Sequence, residues 1–128
     1  MGERKILIVD DEKQIREMFE QAFSRAGYEV QTAETAEQAL EIVRETPYWV
    51  FFLDLNLPGM NGIELCRQIR YNYPMAISIA VTGYASLFEL SDCREAGFED
   101  YFTKPVNLSD LLEAAEHAFK KLERWGKR

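Results

Sequence analysis

Short apolar runs alternate along this chain with segments in which apolar residues recur every three or four positions. The run at residues 49–53 is too short for a helix and lacks the alternation of a half-exposed strand. It therefore predicts a strand that is buried on both faces of a parallel sheet. Residues 28–32, in contrast, alternate between apolar and polar as a half-exposed strand does. We predict five strands, at residues 5–9, 28–32, 49–53, 76–81 and 101–102.

The segments between the strands have the spacing of amphipathic helices. Gly27 closes the first helix as a left-handed C-cap, and Thr35 with Gln38 predicts a capping box that opens the second. Asn107 with Asp110 caps the last helix. The clear apolar stripes are Ile15, Met18, Phe19, Ala22 and Phe23; Ala36, Ala39, Leu40 and Val43; Ile63, Cys66 and Ile69; and Leu111, Ala115, Ala118, Phe119 and Leu122.

The segment at residues 86–97 is the weakest of the predicted helices. Its apolar line consists only of Leu87, Leu90, Cys93 and Ala96. A helix with few apolar anchors fits a mobile element, and it fits equally well an ordinary helix at the edge of the sheet.

Five strands that alternate with five helices specify a doubly wound α/β fold, with a parallel sheet, helices on both faces and right-handed crossovers. The common order for five such strands is 2-1-3-4-5, the flavodoxin-like arrangement. A chain of 128 residues can bury a core without disulfide or metal staples. We therefore expect a single domain over residues 1–128.

Composition argues against two classes of function. The formal net charge of −7 disfavours direct nucleic-acid binding through a basic face. No apolar run approaches the roughly 20 residues that a membrane-spanning helix needs, so we expect no membrane insertion. The first apolar run is too short for the core of a signal peptide and is followed by acids, so we expect a cytoplasmic protein.

Polar residues stand where four of the strands end. They are Asp10, Asp11 and Glu12 after the first strand, Asp54 after the third, Thr82 after the fourth and Lys104 after the fifth. In the order 2-1-3-4-5, strands one and three are neighbours at the switch point, where open α/β sheets bind ligands. We therefore expect Asp10 and Asp11 to lie next to Asp54.

Clustered carboxylates need a positive partner, because each pair repels by about 4 kcal/mol at 4 Å and an effective dielectric constant near 20. Lys104 supplies one positive charge. An all-oxygen cluster with few protein ligands suits Mg²⁺, which keeps water ligands and shares phosphate oxygens. A carboxylate beside a divalent ion, a lysine and a hydroxyl can attack a phosphoryl group and form an acyl phosphate.

Four motifs in this order resemble the receiver domain of a bacterial two-component response regulator of the stand-alone, single-domain type. They are ILIVDDE, FFLDLNLPGMNG, the Thr82–Gly83 step and the Lys104–Pro105 pair. The resemblance covers about residues 4–122. It implies that Asp54 accepts a phosphoryl group from a sensor histidine kinase or a phosphotransfer protein. It also implies Mg²⁺, with Mn²⁺ as a substitute, bound by Asp10, Asp11, Asp54 and the backbone carbonyl of Asn56.

The resemblance also implies how the signal leaves the site. Lys104 would pair with the phosphoryl oxygens, and the Lys104–Pro105 peptide bond would be cis. Thr82 would move toward the phosphoryl group, and Tyr101 would turn inward with it. The surface formed by helix four, strand five and helix five would then control a downstream effector protein, as a monomer or as a phosphorylation-dependent dimer. Such a protein assists its own phosphotransfer and autodephosphorylation but is not an enzyme that turns over a substrate.

Some positions depart from the family pattern. Trp49 and Asn61 stand where the family often has Asp, which leaves the chemistry intact. Asn56 and the bulky Tyr84 would flank the phosphoryl group, where they could alter the access of water.

Two alternative functions use similar residues. A phosphatase of the haloacid dehalogenase type needs a second acid two residues after its nucleophile, and this position is Asn56. Its metal-binding acids also come late in the chain, whereas the acid pair here precedes Asp54. The other alternative keeps the fold as a docking module that is never phosphorylated, although all the expected reactive residues are present.

Overall fold

The computed structural model describes residues 4–83 and 87–126, and of residues 87–89 it describes the backbone alone. Strands and helices alternate through the whole of this part of the chain. Their bounds are β1 Lys5–Val9, α1 Lys13–Arg25, β2 Glu29–Ala33, α2 Ala36–Glu45, β3 Val50–Leu53, α3 Gly62–Asn72, β4 Ile77–Thr82, α4 Leu87–Ala96, β5 Asp100–Thr103 and α5 Leu108–Gly126. All the strand pairs are parallel, and the order β2-β1-β3-β4-β5 confirms the predicted doubly wound sheet.

The central strands are buried on both faces, as their apolar runs predict. Along β1, Ile6 and Ile8 face α1 and α5, whereas Leu7 and Val9 face α2 and α3. All four side chains are almost completely buried. The interior therefore consists of two apolar layers, one on each face of the sheet, and polar groups on these strands are concentrated at the strand ends.

The register of the sheet aligns the carboxyl ends of β1 and β3. Val9 lies opposite Leu53, so the next residues of the two strands, Asp10 and Asp54, are neighbours. The backbone N–H of Asp54 donates to the carbonyl of Val9 at 2.9 Å, and that of Asp10 donates to the carbonyl of Ala33 at 3.1 Å. Both aspartates are therefore fixed by the hydrogen-bond ladder of the sheet.

The end of α1 agrees with the sequence. Gly27 has φ of +97°, the left-handed conformation that favours glycine. The N–H of Tyr28 donates to the carbonyl of Phe23, and the N–H of Gly27 donates to that of Ser24. These two bonds make a Schellman motif, which turns the chain from α1 into β2.

The start of α2 differs in one bond from the predicted capping box. The Thr35 hydroxyl accepts from the N–H of Gln38 at 3.0 Å, as expected. The Gln38 side chain, however, accepts from the N–H of Glu34 at 2.7 Å and not from that of Thr35. The Gln38 side chain therefore extends one residue further back and satisfies the backbone N–H of the residue before the N-cap.

The described side chains of α4 follow the predicted apolar line, with one correction. Cys93 and Ala96 are buried, but Leu90 is 38% exposed and so does not extend the apolar line into the core. Ser86 and the side chains of Leu87 and Phe88 lie outside the part that the structure describes.

Helix α5 buries all five residues of its predicted stripe. It is also the longest helix of the described residues, with 19 residues, and its charged side chains are spread along its length. Across residues 4–83 and 87–126, no helix is both long and apolar enough to cross a membrane.

Gly62, the first residue of α3, packs directly against the backbone of Asp54. A Cβ atom at this position would overlap the Asp54 carbonyl oxygen, so the backbone of one of the two residues would have to move. We predict that Gly62→Ala lowers the free energy of unfolding by roughly 1–3 kcal/mol, the usual cost of overpacking. The measurement is urea denaturation followed by circular dichroism.

Gly126→Ala is the matched control, because a Cβ atom there would have no neighbour within 4 Å. This control variant should be at least as stable as the wild type, because alanine is favoured over glycine in a helix. Equal stability of the two variants would contradict the close packing of α3 against the end of β3.

Candidate functional site

Asp10 and Asp54 form the centre of the site, and both use their side chains in the same way. One oxygen of each carboxylate accepts from the backbone N–H two residues further on. The Asp10 Oδ1 accepts from Glu12 at 2.9 Å, and the Asp54 Oδ1 accepts from Asn56 at 3.2 Å. Only 2% of Asp10 and 5% of Asp54 is exposed. Each turn therefore orients its carboxylate and leaves the second oxygen for another partner.

Lys104 is that other partner. Its Nζ lies 2.8 Å from Asp10 Oδ2 and 3.4 Å from Asp54 Oδ2. The backbone N–H of Lys104 donates to the carbonyl of Thr82 at 2.8 Å, which extends the β4–β5 ladder by one residue. The Lys104–Pro105 peptide bond is cis. The lysine thus enters the cluster from the far side of β4.

A third carboxylate, that of Asp11, completes the cluster. The carboxylate oxygens of Asp10, Asp11 and Asp54 lie within 4.8 Å of one another, and Asp11 is exposed to solvent. The donor set is all oxygen, has two buried members and opens to water on one side. These properties fit Mg²⁺, which binds through one or two carboxylates and keeps several water ligands.

The charges of the site depend strongly on burial. Loss of water raises the pKa of Asp10 and of Asp54 above their ordinary value of 3.8, although Lys104 opposes the rise. Burial also disfavours the charged form of Lys104, but its bond to Asp10 and the nearby carboxylates outweigh this effect, so the pKa of Lys104 is raised. The ammonium therefore stays charged at neutral pH, and the carboxylates carry an electrostatic cost that a bound cation would relieve.

Thr82 lies at the end of β4, one strand away from Asp54. Thr82 is completely buried, and its hydroxyl accepts a hydrogen bond from the Asn56 side-chain amide at 3.4 Å. Asn56, which was predicted to offer a backbone carbonyl to the metal, lies in the turn after β3 and is exposed. The structure thus brings the predicted hydroxyl and the turn after Asp54 into contact.

Tyr101 lies on β5, three residues before Lys104 in the chain. Its side chain packs against a small cluster of Leu55, Ala80 and Cys93, and its hydroxyl oxygen is buried. In this structure the ring is therefore already directed inward.

Two contacts of the site are not evident from the sequence. Glu12 extends its carboxylate to 3.2 Å from the Lys104 Nζ. Arg16 donates from its guanidinium to the backbone carbonyl of Asp10 at 2.8 Å, and only 12% of its side chain is exposed. The run of three acids after β1 placed Glu12 at the strand end. The residues around Glu12 and Arg16 in the sequence do not, however, predict their contacts with Lys104 and with the Asp10 carbonyl.

The positions that depart from the family pattern have separate structural roles. Asn61 is the N-cap of α3, because its side-chain oxygen accepts from the N–H of Glu64 at 2.9 Å. Trp49 contacts the ring of Tyr73 edge-on, far from the acidic cluster in the fold. Tyr84 lies outside the described residues.

Comparisons with solved structures show close similarity over nearly the whole chain. A CheY-like response regulator receiver domain protein from Methanospirillum hungatei is 36% identical, with a TM-score of 0.94, over 98% of this chain and 100% of that one. The BeF3-activated DrrB receiver domain is 31% identical, with a TM-score of 0.86, over 92% and 98%. The chemotaxis protein CheY4 of Vibrio cholerae is 28% identical, with a TM-score of 0.86, over 91% and 99%.

The sequence comparison with protein families agrees with these structures. The family model for the response regulator receiver domain matches residues 6–116, from the second residue of β1 to the middle of α5. The matched region contains the three carboxylates, the hydroxyl and the lysine whose geometry is described above. The chain therefore belongs to the response regulator receiver domain family.

Proposed function

We propose that this receiver domain is a switch that accepts a phosphoryl group on Asp54 in a Mg²⁺-dependent reaction. The donor would be the phosphohistidine of a sensor histidine kinase or of a phosphotransfer protein. Phosphorylation would change the surface formed by α4, β5 and α5, and this surface would control a downstream effector protein. The observation that carries the proposal is the contact of Lys104 with both Asp10 and Asp54, at the ends of three strands and beside Asp11.

The geometry suits Asp54 as the nucleophile. Its Oδ1 is tied to the Asn56 N–H, whereas its Oδ2 lies against the Lys104 ammonium. Attack by a carboxylate oxygen would form an O–P bond as the P–N bond to the donor imidazole breaks. Lys104 would then neutralise charge on the phosphoryl oxygens without needing to travel far. A bound Mg²⁺ would supply further neutralisation of those oxygens, held by Asp10, Asp11, Asp54 and the Asn56 carbonyl.

Thr82 and Tyr101 would carry the response away from the site. Phosphorylation adds a charge of about −1.5 to −2 and new acceptor oxygens, which can attract a hydroxyl. The Thr82 hydroxyl would exchange its 3.4 Å contact with Asn56 for one with the phosphoryl group. Tyr101 is the second residue of β5 and packs against Cys93 of α4, so a shift of β4 would reach α4 through this cluster.

The packing of the described side chains of α4 supports its role in the output surface. Leu90 is exposed on this helix, and the buried residues in its last two turns are small. Elements that move in a switch are drawn from the weakly packed parts of a fold. Receiver domains act with histidine kinases and effectors, and for this chain the identity of both partners belongs to the proposal.

Labelling by a small phosphoryl donor tests Asp54 as the acceptor. Incubation of the wild type with acetyl phosphate and Mg²⁺ should add the mass of one phosphoryl group, and Asp54→Asn should add none, because the amide is not nucleophilic. Intact mass spectrometry makes the measurement. Asp100→Asn removes an exposed carboxylate at the start of β5 and should be labelled like the wild type.

EDTA should abolish labelling of the wild type. Labelling of Asp54→Asn at the wild-type level would contradict the assignment of the acceptor. A folded wild type that is never labelled would instead favour the docking module without phosphorylation.

Thr82 should affect the conformational response to phosphorylation but not the phosphorylation of Asp54 itself. Thr82→Ala should still be labelled on Asp54, because the hydroxyl does not take part in forming the O–P bond. The changes in backbone amide chemical shifts of α4 and β5 on phosphorylation should, however, be reduced severalfold. Thr103→Ala, at the exposed position opposite Thr82 in the β4–β5 register, is the control. A full response in Thr82→Ala would exclude Thr82 as the residue that transmits the signal.

Burial of Asp54 should make the stability of the metal-free protein depend on pH. Because the pKa of Asp54 is raised above 3.8 by burial, the folded protein binds this proton more tightly than the unfolded chain does. Stability in EDTA therefore falls as the pH rises from about 3.8 through the raised pKa. Asp54→Asn lacks this loss, so it should exceed the wild type by roughly 1 kcal/mol at neutral pH and match it near pH 4.

Urea unfolding at a series of pH values measures this difference, and Asp100→Asn should follow the wild type throughout. Addition of Mg²⁺ should stabilise the wild type more than Asp54→Asn. A neutral-pH stability of Asp54→Asn below that of the wild type in EDTA would show that the ionised carboxylate is net stabilising.

A further inference from the structure

Lys104 has a third carboxylate partner that belongs neither to the acceptor nor to the proposed metal ligands. Its Nζ lies 3.2 Å from Glu12 Oε1, nearer than the 3.4 Å that separates it from Asp54 Oδ2. Only 13% of the Lys104 side chain is exposed, whereas 63% of the Glu12 side chain is exposed. The nearly buried ammonium thus has one partner, Glu12, whose carboxylate is largely exposed to solvent.

The position of Glu12 in the fold makes this contact unusual. Glu12 is the N-cap residue of α1, where Ser, Thr, Asp and Asn are preferred because they bond the first free N–H groups. Its side chain makes no such cap bond. Its backbone N–H donates to Asp10 Oδ1, which holds the residue beside the cluster. The carboxylate therefore extends to Lys104, 92 residues further along the chain, and leaves the helix uncapped.

We propose that Glu12 is an exchangeable counter-ion, which holds the Lys104 ammonium before phosphorylation and releases it to the phosphoryl oxygens afterwards. This inference rests on the proposed phosphorylation of Asp54. Its consequence is that the Glu12 contact slows phosphorylation, since the pair must separate before Lys104 can neutralise the incoming group.

The difference in burial decides which partner is released. Asp10 is buried and at 2.8 Å makes the shortest contact with the ammonium, so its loss would leave an unpaired charge in the interior. Glu12 returns to water when it separates, so its release costs little. An exposed ion pair changes an equilibrium by no more than about fivefold, and we expect an effect of this size.

A simple effect of net charge must be separated from the contact. Glu12→Gln removes both the charge and the ion pair. Glu12→Asp keeps the charge but shortens the side chain by one methylene group, so the carboxylate no longer reaches Lys104 at bonding distance. The control is Glu34→Gln, which removes an exposed acid that pairs with Arg16 and makes no contact with Lys104.

The experiment measures the initial rate of labelling by acetyl phosphate, by intact mass and at saturating Mg²⁺, and the affinity for beryllofluoride, by amide chemical shifts. Glu12→Gln and Glu12→Asp should both be labelled roughly two- to fivefold faster than the wild type and should bind beryllofluoride correspondingly more tightly. Glu34→Gln should match the wild type. Rates and affinities of Glu12→Asp equal to those of the wild type would overturn the proposal, because net charge alone would then explain any gain in Glu12→Gln.

A second measurement needs neither metal nor phosphate. In EDTA, the effects of Glu12→Gln and Lys104→Met on urea unfolding should be non-additive, with a coupling of roughly two- to fivefold in the unfolding constant. Additive effects would show that the pair is energetically inert and would overturn the proposal. Absence of labelling in the wild type would overturn the proposed phosphorylation as well, whereas normal labelling with unchanged Glu12 variants overturns only the counter-ion.

Discussion

The ion pair between Lys104 and the carboxylates of Asp10 and Asp54 is the interaction on which the site depends. The two aspartates lose most of their contact with water because they end adjacent buried strands. Burial of an unpaired carboxylate is costly, and burial of two side by side is costlier still. One ammonium cannot neutralise three clustered acids, so the site retains negative charge that favours a divalent cation on its open side.

The same interaction connects the site to the rest of the sheet. Lys104 is fixed by its backbone bond to Thr82, and Thr82 contacts Asn56 in the turn that follows the acceptor. A change of charge at Asp54 therefore acts on contacts at the ends of β3, β4 and β5. On the other side, the close approach of Gly62 to the Asp54 backbone leaves little freedom for this strand end to move outward. The adjustments that remain are those of side chains and of α4, whose described buried residues, Cys93 and Ala96, are small.

Much of this arrangement was predictable, because it follows from periodicity and from strand order. The five strands and the five helices came directly from the alternation of apolar patterns, and the order of the sheet came from the commonest order for such a fold. Once the order was known, the meeting of Asp10, Asp11 and Asp54 followed from the geometry of parallel strands. The contacts of Glu12 and Arg16 did not follow, because a flexible side chain at a strand end has several partners within reach. The exposure of Leu90 on α4 and the displaced bond of Gln38 on α2 were also missed, because helical spacing alone does not determine how far a side chain reaches into the core or which N–H it meets.

The sequence by itself determined the fold class and the chemical types of group at the carboxyl edge of the sheet. Both follow from short runs of consecutive residues, in which an apolar strand is followed directly by polar side chains. Only the tertiary structure decided how those groups share one ammonium. The 2.8, 3.2 and 3.4 Å contacts of Lys104 join residues at least 50 positions apart in the chain. Such distances depend on the register of β1, β3 and β5 and on the burial of each carboxylate, and neither quantity is encoded by any local pattern.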